Sequence, residues 1–217
     1  MATIFPSLIG SDLLNLESTI KMLDPHCLGY HIDIMDGNFV PNLSMGPMIV
    51  NALAKKTKNT DLWIHLMVTK PATYLDSLEL PPGAWFTFHI ESEVGILNLI
   101  KNIREKKLKP GLAISPKTPI ERIFPFLNEL DQVTVMSVEP GFSGQEFLKS
   151  SIERVEALAA YRSTSGEKFK IAIDGGISEN NIALLAQKGV DQFAVSSAIF
   201  DYADPVRAFE ELKKLIS

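Results

Sequence analysis

The sequence predicts an α/β fold in which eight parallel strands close into a single (β/α)8 TIM barrel. Short apolar runs alternate with longer amphipathic segments from one end of the 217 residues to the other. Strand alternating with helix requires parallel strands joined by right-handed crossovers, and eight such units in little more than 200 residues suit a closed barrel better than an open sheet. No Ser/Gly-rich linker, low-complexity tract or charge block interrupts the alternation, so residues 1–217 read as one domain. A doubly wound open sheet is the structural alternative, weakened because no GxGxxG follows the first strand.

Taken in order, the first run, 4–8, ends in Pro6-Ser7-Leu8 and precedes a helical stretch at 13–23, with Ser11 before Asp12 as its expected N-cap. Runs 30–35 and 62–67 precede helical stretches at 47–55 and 72–78. The aromatic-rich run 85–89 leads to 94–106, where Ile96, Leu97, Ile100 and Ile103 share one face and Lys101, Asn102, Arg104 and Glu105 lie elsewhere. Runs 110–114 and 132–136 precede 120–127 and 147–161. Run 170–174 precedes 181–188, and run 192–195 precedes 205–216, for which Asp204 before Pro205 is a second expected cap.

Charge and composition exclude several classes. With 21 basic against 26 acidic residues, and no basic run beyond the Lys106, Lys107 and Lys109 cluster, nucleic acid is not an expected partner. The start of the chain has no basic segment followed by an apolar one, and no run of about 18 apolar residues occurs, so neither export nor a membrane partner is expected. The single cysteine, Cys27, excludes an internal disulfide and fits a cytoplasmic protein.

In a barrel of this kind chemistry belongs at the C-terminal ends of the strands, and ionisable residues inside strands are rare. His31 and Asp33 stand at i and i+2 in Tyr30-His-Ile-Asp-Ile-Met35, so both point to one face together with Met35. His65 comes late in the third run and Asp174 closes the seventh. Each of the four, taken singly, also reads as a hydrogen-bonded structural residue. Together, two imidazoles and two carboxylates form a mixed N/O set suited to one divalent transition ion, Zn, Fe, Mn or Co, rather than Mg or Ca.

Glycine supplies a second signal. Glu139-Pro-Gly-Phe-Ser-Gly-Gln145 follows the sixth run, Asp174-Gly-Gly-Ile177 the seventh, and Ser196 and Ser197 the eighth. Such loops expose backbone N–H groups able to cradle a phosphate, although tight turns alone would also use Gly here.

These residues carry a resemblance. Pro6-Ser7-Leu8, His31-Ile-Asp-Ile-Met-Asp-Gly-Asn-Phe-Val-Pro-Asn42, His65-Leu-Met-Val68, His89-Ile-Glu91, Met136-Ser-Val-Glu-Pro-Gly-Phe-Ser-Gly-Gln145 and Asp174-Gly-Gly176 closely resemble the ribulose-phosphate 3-epimerase family, over the whole chain. The resemblance implies a ribulose-phosphate-binding barrel and a metal-dependent epimerase of the pentose phosphate pathway. Its substrate would be a phosphorylated ketose, D-ribulose 5-phosphate interconverting with D-xylulose 5-phosphate. By that likeness His31, Asp33, His65 and Asp174 hold the ion, and Asp33 and Asp174 are the acid/base pair acting through a metal-stabilised enediolate. Ser7 contacts the sugar, and Gly141, Phe142, Ser143, Gly144, Gly175, Gly176, Ser196 and Ser197 form the phosphate and lid loops. Met35, Met67 and Met136 crowd the reacting carbons, with His65 beside them, and a homo-oligomer is expected.

The residue types suit that chemistry: inverting C3 beside a ketone requires two groups flanking the reacting plane, and a carboxylate removes such a proton only where the resulting anion is stabilised. His89 and Glu91 share a strand face and are read as structural. Two departures from the family pattern stand out: Ser196-Ser197 in place of the usual Gly-Ser, which crowds one backbone approach to phosphate, and Gly-Phe-Ser-Gly in place of Gly-Phe-Gly-Gly. Rival readings are an epimerase of a ketohexose 6-phosphate such as allulose 6-phosphate, and a silent phosphate-binding barrel. A related decarboxylase or aldolase would want a lysine at a strand end, where none stands.

Overall fold

A computed structural model describes residues 2–59, 61–92 and 95–217. Eight parallel strands, β1 (Thr3–Pro6), β2 (His31–Met35), β3 (Trp63–Met67), β4 (Trp85–His89), β5 (Lys109–Ile114), β6 (Gln132–Met136), β7 (Lys170–Asp174) and β8 (Gln192–Val195), pair in the order β1-β8-β7-β6-β5-β4-β3-β2. One parallel bridge between Ser7 and His31 joins β1 to β2, and the expected barrel is thereby closed.

Alternation along the strands sorts their side chains into distinct environments. Ile32, Ile34, Ile64, Leu66, Phe86, Phe88, Ile171 and Ile173 point outward and share one apolar cluster with helix residues such as Ile20, Leu53, Ile100 and Val155. Phe5, Trp63, Trp85, Ala172 and Ala194 fill the interior of the barrel. Met35, Met67 and Val40 form a third cluster, with Ile9 and Phe39 packed against it. The register sets Asp33 beside His65, Met35 beside Met67 and Met136 beside Asp174.

The helices depart from expectation in instructive ways. The helix at 13–23 opens as a 3-10 turn, Leu13–Asn15, before α1 (Leu16–Leu23). Asp12 rather than Ser11 caps it: Leu14 N–H donates to Asp12 Oδ1 at 3.1 Å, while Ser11 Oγ donates back to Leu8 O at 2.8 Å. Helix α2 (Pro47–Lys56) matches 47–55 to within one residue.

The stretch 72–78 is only a 3-10 turn at Pro71–Tyr74, and the chain beyond it is tied to α2, where the Asn51 amide donates to Ser77 O (2.9 Å) and accepts from Glu79 N–H (2.9 Å). Helix α3 (Ile96–Glu105) lies within 94–106, whose first residue falls outside the described ones. Ile120–Glu129 is a 3-10 helix, with Pro125 inside it; proline lacks an N–H and its ring obstructs α-helical bonding one turn back. Helix α4 (Ser150–Ser165) begins three residues late, after Leu148 N–H donates to Ser137 O at 2.8 Å and ties the preceding turn to the end of β6.

Helix α5 (Ile182–Gln187) follows β7. A four-residue helix, α6 (Ser197–Phe200), begins at the small residues that follow β8. Helix α7 (Pro205–Leu215) carries its expected cap, Arg207 N–H donating to Asp204 Oδ1 at 3.0 Å. No helix among the described residues is long and apolar enough to cross a membrane.

Candidate active site

His31 and Asp33 on β2, His65 on β3 and Asp174 at the end of β7 converge inside the mouth of the barrel. Each offers one donor atom, and the four atoms lie within 4.8 Å of one another. His65 Nδ1 lies 3.0 Å from Asp33 Oδ1 and 3.2 Å from Asp174 Oδ2, and His31 Nε2 lies 3.7 Å from Asp174 Oδ2. Both imidazoles are wholly buried.

Hydrogen bonding determines which nitrogen of His31 faces this cluster. Ser7 Oγ lies 3.2 Å from Asp33 Oδ2 and 2.9 Å from His31 Nδ1. An ionised carboxylate only accepts, so the Ser7 hydroxyl donates to Asp33 and accepts from His31 Nδ1–H. That leaves the His31 Nε2 lone pair buried and without a hydrogen-bond partner. A buried acceptor left bare is costly unless something occupies it, and this one lies 3.7 Å from Asp174 Oδ2 within a cluster of two carboxylates and a second imidazole. The donor set therefore fits a divalent cation of the transition series.

Electrostatics agree. Burial by itself would raise the Asp33 carboxyl, but the neighbouring His31, then His65 and Ser7, outweigh it and hold the group below the usual carboxylate range. Burial opposes the charge on His65, yet Asp174 and Asp33 raise its imidazole to about 9, so without an ion the ring is a cation with hydrogens on both nitrogens, and the Nδ1 hydrogen stands between the carboxylates in the place a metal ion would take.

Backbone pins hold the strand ends. Ser44 Oγ donates to Asp33 O (2.6 Å) and accepts from Met35 N–H (2.9 Å), fixing the end of β2. Ser137 Oγ donates its one hydrogen to Gly175 O (2.6 Å), with Asp174 O also within reach at 3.0 Å, fixing the end of β7. Asp36 accepts from the Asn38, Phe39 and Thr69 N–H groups and so joins the loops after β2 and β3.

Above the cluster lies a cavity lined by Ser7, Asp33, Met35, Met67, Met136, Asp174, Gly141, Phe142, Ser143, Gly144, Gly175, Gly176, Ser196 and Ser197, all expected site residues. His31 and His65 are absent from that lining and lie within the buried cluster. The loop after β6 arches over the mouth, held where Asn42 donates to Gly141 O at 2.9 Å and Gln145 Nε2 donates to Glu139 O (2.7 Å) and Phe142 O (2.8 Å). Gly175 and Gly176 adopt φ of +114° and +63°. A Cβ on Gly176 would come within 2.7 Å of the Phe147 backbone nitrogen, so only glycine fits.

Ile9, Val138, Pro140, Gln145, Ile177 and Ala194 also line the cavity and were not expected. Val138, Pro140 and Gln145 lie within the motif 136–145 and Ile177 directly follows Gly176, whereas Ile9 and Ala194 carry no sequence signal that separates them from core. Ser196 enters differently from expectation: its Oγ is buried without a partner, turned against Gly10, where an added Cβ would lie 2.1 Å away. The side chain that was expected to crowd the phosphate approach is thus directed at Gly10.

Comparison with known proteins extends this picture. Residues 3–200 match the family model described as the ribulose-phosphate 3 epimerase family. The chain is 38% identical to the cytoplasmic isoform of ribulose-phosphate 3-epimerase from Oryza sativa, covering 99% of this chain and 94% of that protein. It is 34% identical to the Schizosaccharomyces pombe enzyme of that name over 99% and 94%, and 32% identical to that of Escherichia coli K12 over 97% and 94%. Among solved structures, KGPDC from Streptococcus mutans superposes with a TM-score of 0.74 at 14% identity, covering 99% of this chain and 97% of that one. An orotidine 5'-monophosphate decarboxylase from Sulfolobus solfataricus superposes at 0.70 and 11%, covering 100% and 98%. These distant likenesses establish the barrel alone.

Proposed function

Because this chain belongs to the ribulose-phosphate 3-epimerase family of carbohydrate isomerases, we propose that it interconverts D-ribulose 5-phosphate and D-xylulose 5-phosphate, with Asp33 and Asp174 exchanging the proton at C3. The observation that carries this reading is the pair of carboxylates, on β2 and β7, that meet at His65 Nδ1 while both line one cavity.

Epimerisation removes the C3 proton from one face and returns one to the other, so a single base cannot suffice. Asp33 and Asp174 stand on separate strands and can address opposite faces. Each serves as acceptor in one direction and donor in the other. A carboxylate held below its usual range, as Asp33 is, is a weak base toward carbon. A divalent ion held by His31, Asp33, His65 and Asp174 would supply the electrostatic stabilisation of the oxygen anion that such a base requires.

The methionines exclude water from the reacting carbons: Met35, Met67 and Met136 are 5%, 2% and 2% exposed. The N–H groups of Gly175, Gly176 and Ser197 serve the phosphate, and the loop holding Gly141, Phe142, Ser143 and Gly144 closes over it. We read residues 1–217 as one catalytic domain, placed in the cytoplasm on the strength of its lone, buried Cys27. A homo-oligomer is part of this reading, supported by exposed Leu13, Leu43, Ile49 and Phe142 lining one groove beside the mouth.

A coupled assay on D-ribulose 5-phosphate and, in parallel, allulose 6-phosphate tests the proposal, before and after chelation and with Zn, Fe, Mn or Co added back. Chelator-sensitive activity on the pentose supports it. Activity confined to the hexose would retain the chemistry and overturn the substrate, and inactivity on both would leave a phosphate-binding barrel without turnover.

A further inference from the structure

His89 and Glu91, which the proposed chemistry leaves idle, are arranged in line behind His65. His89 Nε2 lies 2.9 Å from His65 Nε2, and Glu91 Oε2 lies 3.2 Å from His89 Nδ1. His89 is wholly buried, with Phe39 against its ring at a centroid distance of 4.8 Å. Glu91 is itself anchored: Ser115 N–H donates to its Oε1 at 3.0 Å. Arg154 in turn holds the Ser115 loop by donating to the carbonyls of Ser115, Pro116 and Thr118 at 3.1, 2.8 and 2.8 Å.

The direction of this chain follows from counting protons. Only one hydrogen fits between two nitrogens 2.9 Å apart. The Glu91 carboxylate can only accept, so His89 Nδ1 carries a hydrogen and donates to it. If His89 Nε2 also carried one, His89 would be a second buried cation directly behind the proposed ion, with a single carboxylate to balance it. The hydrogen between the rings therefore belongs to His65 Nε2.

We infer that His89 and Glu91 are positioning residues that fix the proton of His65 on Nε2, so that the Nδ1 lone pair is the one presented to Asp33, Asp174 and a bound divalent ion. Ser7 does the same for His31 with the opposite nitrogen, and the two imidazoles are thus locked with different atoms facing the centre. The inference rests on the ion-binding reading above, and it adds what makes His65 the right tautomer for that task.

Imidazole nitrogen NMR of histidine-labelled protein tests it, in the zinc-loaded form and in alkaline, chelated form, alongside zinc affinity by competition with a chromophoric chelator. The expected wild-type spectrum has the His65 proton on Nε2 in both forms. His89→Phe keeps a ring but offers no acceptor, and is expected to give mixed protonation of His65 and zinc binding weakened about 10- to 100-fold. His89→Gln places an amide oxygen near the lost nitrogen, and is expected to restore both readouts. Glu91→Gln, whose amide can donate or accept, is expected to give mixed protonation as well, and serves should His89→Phe fail to fold.

A His65 proton found on Nδ1 in the wild type overturns the inference, as does unaltered Nε2 protonation in both His89→Phe and Glu91→Gln. Equal zinc affinity for His89→Phe and His89→Gln also overturns it. If the wild type binds no zinc, the ion-binding reading fails, and the chelated spectra still decide the His65 proton.

Discussion

The Ser7 hydroxyl stands 2.9 Å from His31 Nδ1, and through that contact a residue at the end of β1 decides which nitrogen of a β2 histidine is left bare. Ser7→Ala removes the acceptor that holds the Nδ1 proton. The expected outcome is divalent-ion affinity lower by about 10- to 100-fold, with thermal unfolding reporting a loss of about 1–3 kcal/mol for the newly unsatisfied buried donor. Wild-type ion affinity in the variant would show that Ser7 does not orient His31.

The two aspartates are expected to be individually indispensable. Asp33→Asn and Asp174→Asn retain shape but cannot accept a proton from carbon, so kcat is expected to fall by at least about 10²- to 10⁴-fold in each. Steady-state kinetics in both reaction directions check this, and turnover unaffected in either variant would remove that residue from the acid/base pair.

Met35 is expected to matter through what it keeps out. Met35→Ser brings a hydroxyl and water to the face shared with Asp33, and kcat is expected to drop about tenfold, equivalent to about 1.4 kcal/mol of barrier, with more solvent isotope entering the product. Unchanged kinetics and unchanged isotope incorporation would count against water exclusion.

Gly175 and Gly176 are expected to respond differently to a methyl group. A Cβ on Gly175 would meet Val138 Cγ2 at 2.4 Å, a side chain that can be cut back, whereas on Gly176 it meets the backbone of Phe147 at 2.7 Å. Both substitutions are expected to raise KM for the phosphorylated substrate and to cost about 1–3 kcal/mol in stability. Val138→Ala is expected to recover part of the Gly175→Ala loss and none of the Gly176→Ala loss, which a double-mutant cycle measures.

Acid stability is expected to depend on Glu91. Burial would raise this carboxyl, but His89, Thr118 and the Ser115 N–H outweigh burial and lower it from 4.5 to about 2. A depressed carboxyl contributes its full stability above 4.5 and loses it as the pH falls toward about 2. Unfolding midpoints across that window are expected to fall less steeply for Glu91→Gln than for the wild type, and parallel slopes would refute the contribution.

Much of the site was legible because a β-strand has a period of two. His31, Asp33 and Met35 had to share a face, and ionisable residues inside apolar strands are rare enough that four of them together marked a site, although each alone also read as structural. The same rule put His89 and Glu91 on one face of a strand but could not say that His89 meets His65, since the pairing of residues on adjacent strands depends on register and ring orientation. The lining contributed by Ile9 and Ala194 was invisible for a related reason: an apolar residue beside a site looks in sequence like any core residue. Local competition explains the helix boundaries. Asp12 displaced Ser11 as a cap, and Pro125 inside 120–129 goes with a 3-10 winding.

The alternation of strands and helices, the closed barrel and the residue types at the strand ends are written in the chain because periodicity and composition are local properties, and the family is written in six ordered motifs. Tertiary structure alone decided that His31 presents Nε2 and His65 Nδ1, that the Ser196 hydroxyl turns to Gly10, and that Ser44 and Ser137 pin the strands bearing the aspartates. Those outcomes depend on which donor meets which acceptor across strands far apart in sequence, and hydrogen bonds only a few ångströms long are set by closure of the barrel.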